Sequence, residues 1–173
     1  MRFSTALYPV AVAAVLAACS DQHPTITEVA TTPAPQFSGI QTHAIELVAV
    51  VGTGYGAVNV TPTAEDQGTF HVQGQVHIRG AAPNTQYLVQ RAPDLNVADP
   101  ACTGPWISFP VPNAGPIVTL TTSPAGAGAA HFELGVGGAF TSGTPFNVRF
   151  RVIDDLANPT SVLMSDCVTV VVK

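Results

Sequence analysis

Phe70, Val72, Val76 and Ile78 alternate with His71, Gln73, Gln75, His77 and Arg79, and this period of two constrains the chain more than any other feature. Successive side chains of an extended strand point to opposite faces, so the run predicts a strand with one buried and one wet face. A helix would scatter the same residues around its circumference. Phe146, Val148, Phe150 and Val152 repeat the pattern against Asn147, Arg149 and Arg151. The 15 Gly and 15 Pro among 173 residues argue in the same direction, because both interrupt helix interiors. Further strands are expected at 43–51, 57–61, 86–90, 106–111, 117–122, 130–136, 161–164 and 167–172. Between them lies turn chemistry, as in Gly52-Thr53-Gly54-Tyr55-Gly56 and Ser123-Pro124-Ala125-Gly126. Short strands at this spacing, with no helical period after residue 19, predict an all-β sandwich or barrel of about eight strands. Trp106 and Tyr87, two of its few large polar-tipped rings, are expected in the core.

The N-terminus has a different character. Arg2 precedes an apolar stretch from Ala6 to Ala18, too short for a membrane span and ending in Leu16-Ala17-Ala18-Cys19. That tetrapeptide resembles the lipobox of bacterial lipoproteins. The resemblance implies a signal peptide over 1–18, cleavage before Cys19, and diacylglycerol on the Cys19 thiol. Ser20 then implies sorting to the outer membrane where the host has two. The alternative is an ordinary secretory signal that leaves Cys19 a free thiol. Residues 19–41, rich in Thr and Pro without a sustained period, read as a disordered tether, and 42–173 as one domain. In an oxidising envelope, Cys102 and Cys167 are expected to form one disulfide, the alternative being two buried thiols.

Pro83-Asn84-Thr85-Gln86-Tyr87 resembles the Pro-x-Thr-x-Tyr step of fibronectin type III domains, whose tyrosine anchors a sheet-to-sheet corner. About 80 residues follow Tyr87. The resemblance therefore implies an immunoglobulin-like β-sandwich in the loose sense, without that family's topology or binding loops.

Charge and chemistry narrow the function. Lys+Arg number 6 against 11 Asp+Glu, a net charge of −5 that argues against nucleic-acid binding. The only lysine is Lys173, which removes P-loop, Ser-x-x-Lys and Schiff-base chemistry. His71 and His77 share a strand face but stand roughly 20 Å apart, too far for one metal ion. No His-x-His, His-Glu-x-x-His, Cys-x-x-Cys or Gly-x-Ser-x-Gly occurs. Asp94, Asn96 and Asp99 lack the spacing of an EF-hand loop, and Asp154 and Asp155 read as solvated turn residues. Arg149 and Arg151 are expected to pair with Asp154, Asp155 or Glu133. The polar row His71, Gln73, Gln75, His77 and Arg79 is the candidate binding face. The expectation is a non-catalytic envelope module, held to the membrane by lipid, with no metal or cofactor and a protein or glycan partner. The rival is an envelope hydrolase, marked by His131, an acidic residue and a serine in one cleft.

Overall fold

The computed structural model describes residues 36–37, 42–62, 69–109, 117–137 and 140–172. Cys19, the signal segment and most of the tether lie outside the described residues. Eleven strands follow in chain order: β1 (Gln36–Phe37), β2 (His43–Ala49), β3 (Tyr55–Pro62), β4 (Thr69–Arg79), β5 (Gln86–Asp94), β6 (Ile107–Ser108), β7 (Thr119–Thr121), β8 (Gly128–Gly137), β9 (Pro145–Ile153), β10 (Ser161–Met164) and β11 (Val168–Val171). The fold is all-β and sandwich-like, as the alternation predicts, with more strands than the expected eight. The surplus comes from short pieces such as β1 and β6.

All strands belong to one curled sheet, and β9 is its hub. Along one edge β9 pairs with β5; along the other it pairs with β11 near Pro145–Val148 and with β10 near Arg151–Ile153. From β10 the sheet continues through β2, β3 and β4 to β8. Pairing is antiparallel except for β1, which lies parallel to β11. Gln36 and Phe37 fall within the stretch read as tether, opposite Thr169 and Val170.

The core is what the two periodic strands demand. Phe70, Val76 and Ile78 from β4 face Phe146, Val148, Phe150 and Val152 from β9, joined by Ile45, Leu47, Val58, Val89 and Phe132. Each fully buried side chain of this size contributes roughly 1.5–3 kcal/mol. Phe109 lies between Phe132 and Phe150, at centroid distances of 4.4 and 6.2 Å.

Tyr87 is buried as expected, and its hydroxyl accepts the Ala82 N–H at 3.2 Å. Thr122 Oγ1 strengthens the same corner by donating to Ala82 O and accepting from Thr85 N at 2.9 Å. Trp106 departs from expectation. It is half-buried on the outer side of β9, with the Arg149 and Arg151 guanidinium carbons 4.9 and 4.2 Å from the ring. Phenylalanines occupy the interior, and a cationic outer face holds the indole where its polar end stays near water. Cys102 and Cys167 form the disulfide, closing 65 residues.

Candidate functional site

Antiparallel register turns the predicted polar row of β4 into a two-dimensional array. Asn59 of β3 lies opposite Gln75, and Gln75 lies opposite His131 of β8. Two residues along, Thr61 lies opposite Gln73, and Gln73 opposite Glu133. Directly paired residues share a face, so the six side chains form two rows. Each row crosses three strands, about 10 Å in all, and the rows are about 7 Å apart. With Thr42 they line an open, shallow groove of about 710 Å³. Thr42 and Thr61 join their hydroxyls at 2.7 Å.

The floor of the groove depends on Gly74. This residue has the inward parity of β4, and Phe132 lies directly opposite it. A Cβ on Gly74 would stand 2.3 Å from Phe132 Cζ and 2.5 Å from Asn59 O. The missing side chain therefore lets the Phe132 ring cover the strand from the core side.

Gln73 and Gln75 are the members of the predicted row that line the groove. His77 shares the face and approaches Asn59, with 3.5 Å between its Nδ1 and Asn59 Nδ2, a long contact. Arg79 is exposed at the strand end opposite Tyr55. Asn59, Thr61 and Glu133 join from neighbouring strands. Their own alternation signals a polar face, but only register shows that the faces merge.

The array offers amide donors and acceptors, hydroxyls, one imidazole and one carboxylate. The His131–Glu133 pair supplies part of the constellation a hydrolase requires, yet among the described residues no serine lines the groove. Its hydroxyls are Thr42 and Thr61, and Thr61 lies two strands and one row from His131, more than about 10 Å away. Direct proton transfer needs roughly 2.6–3.2 Å.

The carboxylates Asp94, Asp99, Asp154 and Asp155 serve their own loops. Asp94 Oδ1 accepts from Asn96 N, and Asp99 accepts from Ala101 N and Thr103 Oγ1, each a local turn contact. Those Thr103 and Ala101 hydrogen bonds hold the Asp99 carboxyl below its usual range. Asp155 and Asp154 accept from Ala157 N and Thr160 N, so both are turn residues as expected. They do not pair with Arg149 or Arg151, nor does Glu133, which lies in the groove. Arg151 donates instead to Gln90 Oε1 at 2.8 Å and Ser161 Oγ at 3.3 Å, because β5 and β10 flank it directly. Partial burial, then the Arg149 charge, lowers its pKa from the ordinary value. Among the described residues, no three His, Cys, Asp or Glu side chains gather into a metal-sized group. No protein-family model matches the chain, and no curated protein matches it either.

Proposed function

We propose that the chain is a lipid-anchored cell-envelope protein, a non-catalytic binding module that receives an envelope glycan on the outer face of β3, β4 and β8. The observation that carries this reading is the amide, hydroxyl, imidazole and carboxylate array of Asn59, Thr61, Gln73, Gln75, His131 and Glu133. Such a surface matches a ligand dense in hydroxyls and amides. Among the described residues its lining has no Trp, Tyr or Arg, the residues that dominate hot spots of protein interfaces. The lipobox-like Leu16-Ala17-Ala18-Cys19 supports the envelope location.

Co-sedimentation of the purified full-length chain with isolated cell-wall polysaccharide tests the proposal. Wild type should bind saturably. Gln73→Ala combined with Gln75→Ala should weaken binding about tenfold, since each net hydrogen bond is worth about 0.5–1.5 kcal/mol. No binding, or equal binding by the double variant, overturns the glycan assignment. Degradation of the polysaccharide that disappears with His131→Gln would establish the hydrolase reading in its place.

A further inference from the structure

Four arginines lie among the described residues, and one of them points inward. Strand β5 alternates Tyr87, Val89, Arg91 and Pro93 on the core side, and Arg91 sits opposite Phe150. It is only 6 % exposed. Its Nη1 is enclosed and has no hydrogen-bond partner, and no carboxylate pairs with it among the described residues. The guanidinium carbon stands 4.8 Å from the Phe109 ring centroid, a cation–π contact that offsets part of the lost hydration. Burial lowers the guanidinium pKa to about 10, so the group is still a cation at neutral pH.

Arg91 also lines a cavity of about 180 Å³ within the sandwich. Among the described residues the walls are otherwise almost wholly apolar, built by Phe109, Phe132, Phe146 and Phe150 with aliphatic neighbours; His43 is the other ionisable residue described there. Val72, Pro93, Ile107 and Phe140, also in the lining, retain partial exposure and mark where the cavity approaches the surface. An apolar cavity of about 150 Å³ stays dry and accepts a six-carbon ring. A buried charge without a counter-charge is among the most unfavourable arrangements a core can hold. An apolar void, and beside it a cation with no counter-charge among the described residues, together complement a ligand with one apolar and one anionic end.

We propose that this cavity binds a small monoanionic amphiphile, its carboxylate on Arg91 and its apolar end, of about six carbons, among the phenylalanine rings. The head supplies the acceptor that Nη1 lacks and neutralises the charge. The tail fills space that water would occupy poorly. The cavity lies on the opposite side of β3, β4 and β8 from the polar groove, so the two sites stand independently.

Isothermal titration of the purified full-length chain with hexanoate, hexanol and acetate tests the assignment. Hexanoate should bind one to one, and hexanol and acetate at least about tenfold more weakly, because each keeps only half of the interaction. Arg91→Met, an unbranched apolar replacement, should lose the preference for hexanoate over hexanol. Arg91→Lys, which retains the charge, should keep it. Absence of saturable hexanoate binding, or a preference unchanged in Arg91→Met, overturns the proposal.

Discussion

Arg91 reaches the interior because β5 keeps its alternation through Arg91-Ala92-Pro93, where a charge followed closely by proline reads as a strand end. The expected strand stopped at Gln90, one residue short of the most informative side chain in the molecule. Its thermodynamic signature is predictable. Arg91→Met should stabilise the unliganded fold by about 1–3 kcal/mol, because it removes a buried polar group left unsatisfied. The sign of the pH effect follows from the lowered pKa. As pH rises through about 10, the folded chain releases a proton that the unfolded chain, whose guanidinium keeps its ordinary higher pKa, retains. Stability then increases with pH over that window. Urea midpoints of wild type and Arg91→Met should therefore converge above about pH 10, and a constant gap would refute the burial argument. Gly74 gives the opposite kind of prediction. Gly74→Ala drives a methyl into Phe132 and the Asn59 carbonyl and should cost about 2–3 kcal/mol, read as a lowered Tm. Phe132→Leu in the same chain should recover part of that loss.

At the scale of elements, the chain fastens the long loop between β5 and β6 twice. Residues 95–106 connect β5 to β6, and the Cys102–Cys167 bond ties this loop to the start of β11. Asn147, 1 % exposed on β9, is the second fastening: its Nδ2 donates to Asp99 O at 2.9 Å and its Oδ1 accepts from Thr169 Oγ1 at 2.7 Å. Cys102 itself has φ 49, a left-handed conformation that costs a non-glycine residue about 1–2 kcal/mol and that the surrounding bonds maintain. Replacing both cysteines by Ser should lower stability by about 4 kcal/mol on the loop-entropy estimate. Asn147→Ala should cost about 1–3 kcal/mol by removing the acceptor of the Thr169 hydroxyl and leaving the Asp99 carbonyl only its long contact from Cys102 N–H at 3.5 Å. Urea denaturation reads both, and a midpoint unmoved by Asn147→Ala would refute the second fastening. These elements also show where the sequence is legible. Strands β4 and β9 are plain in their alternation, and Cys102 with Cys167 in their even number. Register is different: sliding β8 by two residues along β4 keeps every apolar side chain inward, so nothing local places His131 opposite Gln75. Trp106 shows the same limit, since its hydrophobicity suits the core equally well until five phenylalanines, Phe70, Phe109, Phe132, Phe146 and Phe150, are seen to occupy it.

For the whole molecule, curling one sheet around a core leaves β8 beside β7, with Gly128 close against the Thr121 carbonyl, so the two ends of the sheet approach each other. This architecture puts the polar groove on the outside and the apolar cavity inside the same strands. At this scale the proposed anchor gives the remaining prediction: wild type should fractionate with membranes and incorporate labelled palmitate, and Cys19→Ser should do neither. Soluble, unlabelled wild type would remove the anchor from the proposal. The disulfide has a further consequence wherever the chain meets a protease. Cys102 and Cys167 make residues 102–167 a covalent ring that contains β6 to β10, including the hub strand β9. A peptidase that cuts once anywhere inside the ring releases no fragment. The nicked chain remains one covalent molecule, heavier only by the water that hydrolysis adds, until it is reduced, and its two new ends remain tethered to the sheet they came from.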